Sequence, residues 1–158
     1  MTVPIVIVDV SGSMVRPIFD VCESHIKQLI ERFNEIRLVA FDDIVKDYGT
    51  ICTLPPKIFR GGITSYKKVL DYIVPVLYEN SNNEIYFISD GEEISDPCIL
   101  SILNDFKEKL SNVEVKINVI GIGEHINTET LRILSGCGSS NGMLEIINVE
   151  INYEELPI

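Results

Sequence analysis

Apolar and polar positions alternate between two rhythms along this chain. Val3 to Asp9 is almost entirely apolar, as expected of a central parallel strand covered on both faces. After Pro17 the apolar residues fall at Ile18, Cys22, Ile26, Leu29, Ile30 and Phe33, the spacing of a helix that packs one face on a sheet. Arg37 to Phe41 predicts a second strand. Asp42-Asp43 reads as a turn into Ile44 to Ile51, so these two strands should form an antiparallel hairpin at one edge. Cys52 to Ile63 holds two prolines and two glycines and predicts a loop.

The second half repeats the scheme. Tyr66, Val69, Leu70, Ile73 and Leu77 predict a helix that Pro75 must kink or divide. Glu84 to Asp90 reads as a strand built like the first. Asp96 is placed to cap, and Pro97 to open, a helix carrying Ile99, Leu103, Phe106 and Leu110. Val113 to Ile122 predicts a strand, Asn127 or Thr128 starts a short helix ending near Gly136, and Met143 to Val149 closes the sheet. With right-handed crossovers, this order predicts an α/β fold, a doubly wound Rossmann-like sheet of about six strands. It is mostly parallel with one antiparallel edge strand and helices on both faces. Residues 1–158 form one domain in this scheme, a length that buries a core without staples.

The chemistry concentrates at strand ends. In IVIVDVSGSM, Asp9, Ser11 and Ser13 follow one another at every second position where the first strand gives out, and convergent oxygens there suggest a hard cation more than a nucleophile. The strand order should reverse between Val3–Asp9 and the strand ending at Asp90, and ligands of open α/β sheets sit at such a point. Thr64 enters its helix from a loop at the same end. Five oxygen-bearing side chains, Asp9, Ser11, Ser13, Thr64 and Asp90, thus surround one position.

With those motifs in place, the chain resembles the von Willebrand factor A domain family and its metal-ion-dependent adhesion site. The resemblance covers nearly the whole length. IVIVDVSGSM matches the first strand and Asp-x-Ser-x-Ser loop, RGGITSYKKVLDYI the Gly-x-Thr loop and helix, YFISDGEE the Asp-Gly strand end, and INVIGIGEHINTETLRILSG a late strand and short helix. The resemblance implies that Ser11 and Ser13 bind a metal directly, Thr64 does so in one conformational state, and Asp9 and Asp90 act directly or through water. Ile63 stands where the family often has a second small residue, which leaves Ser65 as an alternative to Thr64. The metal implied is Mg²⁺, with Mn²⁺ possible. The partner implied is a protein offering Glu or Asp to that metal, and the resemblance is to intracellular bacterial-type members, which often accompany ATPases, kinases or phosphatases. In adhesion receptors of the family a C-terminal helix slides to switch the site, whereas here Ile151 to Ile158 would make a helix of about 12 Å at most. A constitutively competent site is expected.

Composition narrows the function classes. A formal charge of −11 repels nucleic-acid backbones, so no nucleic-acid partner is expected. Against that background Lys57, Arg60, Lys67 and Lys68 cluster in sequence around Thr64, either as a solvated loop or as a partner-binding patch. Glu92, Glu93 and Asp96 form an acidic rim on the other side. Cys22, Cys52, Cys98 and Cys137 lack zinc-type spacing and fit a reducing compartment. Without a signal-like or membrane-spanning stretch, the expected location is cytoplasmic with no membrane contact. His25 and His125 have no evident partner and read as bystanders, and Gly121-Ile122-Gly123 as a strand-end turn. Two alternatives stand beside the interaction module, which is not an enzyme. One is a Mg²⁺-dependent phosphohydrolase with Asp9 as nucleophile, although Ser11 occupies the place of the second aspartate such enzymes carry. The other is a structural adaptor that uses the fold without metal.

Overall fold

The computed structural model describes residues 3–92 and 98–152. The expected Asp96 cap and Pro97 helix opening, the Glu93 and Asp96 part of the acidic rim, and the tail from residue 153 lie outside the described residues.

The strands are β1 (Ile5–Asp9), β2 (Ile36–Phe41), β3 (Val45–Ile51), β4 (Asn83–Ser89), β5 (Val115–Gly123) and β6 (Leu144–Asn148). They form one sheet in the order β3-β2-β1-β4-β5-β6. Every neighbouring pair is parallel except β2 with β3, the expected antiparallel edge. The order turns back between β1 and β4, so Asp9 and Asp90 emerge side by side at the carboxyl end of the sheet.

The helices are α1 (Ile18–Phe33), α2 (Tyr66–Tyr78), α3 (Ile99–Lys109) and α4 (Thr128–Ser135). Successive side chains of a strand point to opposite faces, and β1 is apolar on both. Ile5 and Ile7 pack with α2, α3 and α4, while Val6, Val8 and Val10 pack with α1 through Cys22, Ile26 and Leu29. α1, α2 and α3 bury most of the stripes their spacing predicted, with Ile30, Phe33 and Ile99 only partly buried. Asn34 ends α1 in the left-handed region (φ 70°), its amide donating to Ile30 O at 2.8 Å.

Pro75 does not divide α2, which runs unbroken from Tyr66 to Tyr78. A proline at this position removes the hydrogen bond to the carbonyl four residues back, that of Asp71. Both Pro75 and Asp71 lie on the exposed side of the helix, where water can solvate that carbonyl, while Ile73, Val76 and Leu77 keep the opposite side anchored in the core. Among the described residues, no helix is long and apolar enough to cross a membrane.

Candidate metal site

Four segments meet beyond the carboxyl ends of β1 and β4. Asp9 is the last residue of β1, and the chain then turns through a short 3-10 segment, Gly12–Met14, that carries Ser13. The Asp9 carboxylate holds that turn by accepting the Ser11 amide on Oδ1 at 2.9 Å, and the Ser11 and Ser13 hydroxyl oxygens lie 3.4 Å apart. The Gly-x-Thr loop lies alongside: the Gly12 amide donates to Gly62 O at 2.9 Å and the Gly61 amide to Val10 O at 2.7 Å. Thr64 follows at once, 3 % exposed. Across the site the Ser13 hydroxyl donates to Asp90, and the Glu92 amide closes a turn on Asp90 Oδ1 at 3.0 Å. Asp9, Ser11 and Asp90 are 0, 1 and 2 % exposed, so nearly all the expected oxygens are withdrawn from bulk water.

Ser65 is the N-cap of α2, its hydroxyl accepting the Lys68 amide at 3.4 Å. That engagement turns Ser65 toward its own helix and leaves Thr64 as the buried hydroxyl residue of the loop.

The electrostatics of the cluster are dominated by two buried carboxyls. Burial, and secondly the neighbouring Asp90, push the Asp9 carboxyl from 3.8 up to about 7, against the opposing hydrogen bonds from Ser11 and Ser89. Burial likewise raises Asp90, opposed by its bond from Ser13. A divalent cation would relieve both the burial of these two carboxylates and the repulsion that Asp90 exerts on Asp9.

The donor chemistry also fits. Mg²⁺ takes about six oxygens and gives up water reluctantly, so hydroxyls, two carboxylates and retained water suit it. Among the described residues no three His, Cys, Asp or Glu side chains group to hold a metal, and any metal centre here depends on serine and threonine oxygens. A cleft of about 230 Å³ opens beside Ser13 and Asp90, walled by Val15, Glu92, Glu124 and His125. It offers a route for one further ligand atom from outside.

Three supporting residues escaped the sequence reading. Ser89 Oγ donates to Asp9 Oδ2 at 2.7 Å and accepts the Gly91 amide at 3.1 Å. The Tyr66 hydroxyl lies 2.6 Å from Ser89 Oγ, joining the core of α2 to the site. Asp42, expected only to turn the chain, is fully buried and bonded to the Thr64 loop. A signal for it exists: Asp42 ends an apolar strand, as Asp9 and Asp90 do.

The basic cluster is largely engaged within the protein. Lys67 pairs with Asp71 at 2.6 Å, Lys68 Nζ donates to Asp43 O at 2.8 Å, and Arg60 meets Asp42 at 3.3 Å. Lys57 instead lines a separate hollow with Arg16, Phe19 and Phe59. His25 lies on α1, whereas His125 pairs with Glu124 at 3.1 Å on the wall of the cleft. Gly121-Ile122-Gly123 is not a strand-end turn but the end of β5, paired with β6, and glycine is needed there because a Cβ on Gly123 would come 2.9 Å from that of Asp90.

No family sequence model matches the chain, and no curated protein is detectably similar in sequence. Solved structures are similar in fold. A von Willebrand factor type A structure from Catenulispora acidiphila superimposes with a TM-score of 0.73 at 18 % identity, over 94 % of this chain and 39 % of that one. Manganese-loaded TRAP protein from Plasmodium vivax gives 0.70 at 19 %, over 93 % and 68 %. Proximal thread matrix protein 1 of the mussel byssus, with a zinc-occupied MIDAS motif, gives 0.66 at 14 %, over 94 % and 44 %. The chain spans less than half the length of the first and third of these proteins. At such identities the likeness is one of architecture, and the chain has the α/β fold of von Willebrand factor A domains.

Proposed function

We propose that this chain is a protein-interaction module that holds one divalent cation, Mg²⁺ or Mn²⁺, among Asp9, Ser11, Ser13, Thr64 and Asp90. Through that cation it binds a Glu or Asp of a partner protein. The observation that carries the proposal is the pair of buried carboxylates, Asp9 and Asp90, set with two serine hydroxyls at the point where the strand order reverses. The manganese in TRAP and the zinc in the mussel protein, held on the same fold, support it.

A bound cation supplies a Lewis-acidic position for an anionic oxygen. The chain does the rest. Ser89 and the Ser11 amide hold both oxygens of Asp9, which leaves that carboxylate to act on the metal through its remaining lone pairs or through water. The short turn at Gly12–Met14 presents Ser11 and Ser13 together, and the cleft beside Ser13 admits the partner's carboxylate. We place the module in a reducing compartment, the cytoplasm, in keeping with its four free cysteines. The role proposed is binding.

Titration calorimetry with Mn²⁺ and Mg²⁺ tests the proposal, paired with melting curves in each metal and in chelator. One ion per chain should bind, and at a hundredfold excess over Kd the native state should gain about 2.7 kcal/mol. Ser11→Ala should remove the heat while the protein stays folded. Equal melting curves in metal and chelator, without heat of binding, would refute it.

A further inference from the structure

We infer that Asp42 is a positioning residue for the metal site, one that sets Thr64 without touching the metal, and that Arg60 balances its buried charge. The inference deepens the proposed function and rests on it.

Thr64 sits between two residues whose backbone amides are both held by Asp42. On one side the Gly62 amide donates to Asp42 Oδ2 at 3.2 Å, and on the other the Ser65 amide donates to the Asp42 carbonyl at 2.9 Å. The second carboxylate oxygen, Oδ1, accepts the Ile44 amide at 2.9 Å and meets Arg60 Nη1 at 3.3 Å. Asp42 is itself placed by the sheet. It follows Phe41, which pairs in register with Asp9, and the Val10 amide donates to Phe41 O at 2.8 Å. The same residue therefore fixes the Thr64 loop to the strand ends that carry Asp9.

Close packing makes the contact specific. A Cβ on Gly62 would come 2.5 Å from Asp42 Oδ2 and 2.7 Å from Asp43 Oδ1, so the loop can approach these carboxylates only with glycine there. Asp42 is fully buried, whereas its partner Arg60 has a side chain 44 % exposed. A carboxylate is required because two amides from different segments, Ile44 and Gly62, each need an acceptor on the same group. Asparagine offers an oxygen to one and would set an NH₂ against the other. Loss of that bond releases the loop on the Thr64 side, while β1 and β4 keep Asp9 and Asp90 in place.

The test is a double-variant cycle on Mn²⁺ affinity, read by calorimetry on the folded chain. Thr64→Ala and Asp42→Asn should each weaken Mn²⁺ by about tenfold, and the double variant should be weaker by the same tenfold, not a hundredfold, because both remove one ligand. A residue with a purely structural role would lower the melting temperature and leave Mn²⁺ affinity unchanged. That result, or losses that multiply, would overturn the inference. Hydrogen exchange supplies a readout without metal: Asp42→Asn should raise exchange at the Gly62 amide at least tenfold while the Ser65 amide, held by the main-chain carbonyl, and the β1 and β4 amides stay protected. Unchanged exchange at the Gly62 amide would overturn the positioning role even if the wild-type chain binds Mn²⁺. A wild-type chain that binds no Mn²⁺ would overturn the metal assignment itself, and with it any service Asp42 performs there.

Discussion

Replacing Asp9 with asparagine should destroy metal binding and yet stabilise the metal-free protein. The carboxyl moves from 3.8 to about 7 on folding because it is fully buried beside Asp90. At 1.36 kcal/mol per pH unit, that displacement corresponds to a cost of about 4 kcal/mol once the group is ionised in both states. An acid raised in this way binds its proton more tightly when folded. Its stabilising contribution is complete below pH 3.8 and is lost as pH climbs to about 7. Asp90 and Glu92, also raised, act in the same direction, while Asp47 and Asp71, lowered by their hydrogen-bonded partners, act in the opposite one. Asparagine fits the site. Its oxygen can accept the Ser11 amide, and its NH₂ can donate to Ser89 Oγ, whose own proton then turns toward the Tyr66 hydroxyl. Allowing half of the 4 kcal/mol for solvent relaxation leaves a gain of about 2 kcal/mol at pH 8, or about 4 to 8 °C in Tm for a chain of this size. At pH 5 the gain should be less than half as large. Thermal melts of both proteins in chelator at pH 5 and pH 8 measure it, and saturating Mg²⁺ should reverse the ranking at pH 8. An Asp9→Asn protein no more stable than wild type at pH 8 in chelator would show that the carboxylate is not strained by its burial.

Other substitutions separate the parts of the site. Tyr66→Phe keeps the ring packed against Phe41 and Phe87 but removes the hydroxyl beside Ser89; it should cost about 1 kcal/mol in chelator melts and weaken Mn²⁺ a few-fold by calorimetry. Ser65→Ala should lose about 1 kcal/mol of helix capping with Mn²⁺ affinity unchanged, the opposite of Thr64→Ala, and an exchange of those two outcomes would move the loop register by one residue. Gly91→Ala forces an L-residue to φ +80° with its Cβ 2.6 Å from Asn127 O, so the loop after Asp90 should shift; denaturant melts should show a loss of at least about 2 kcal/mol.

The parts of this fold that could be read in the sequence are those where one residue's surroundings are set by its own segment. The unbroken apolar run of β1 required cover on both faces, and the reversal of order that follows from it placed Asp90 beside Asp9. The short helix expected to start at Asn127 or Thr128 does so, with Asn127 as its N-cap accepting the Thr130 amide at 3.2 Å. What could not be read depends on contacts between segments. Asp42 is marked in the sequence only by its place at the end of an apolar strand, and its hold on the Thr64 loop appears once the strands pair and the loop is brought onto it. Tyr66 sits on the apolar stripe of α2, and nothing in that stripe reveals that its hydroxyl reaches Ser89, 23 residues on. Lys67, Lys68 and Arg60 formed a patch in sequence, but each finds an acceptor in the fold, which spends much of the charge locally. Pro75 does not divide α2 for a different reason, since tertiary burial of the opposite side of the helix outweighs one missing hydrogen bond.

Anomalous scattering from crystals soaked in Mn²⁺ tests the central claim most directly, because it locates the ion without assuming its ligands. One strong peak per chain should appear between Ser11 Oγ and Ser13 Oγ, at metal-oxygen distances of about 2.0–2.3 Å, with Asp9, Asp90 and Thr64 around it and a further position open toward the cleft. A map without a peak there, or with its only peak at Glu92, Glu124 and His125, would contradict it.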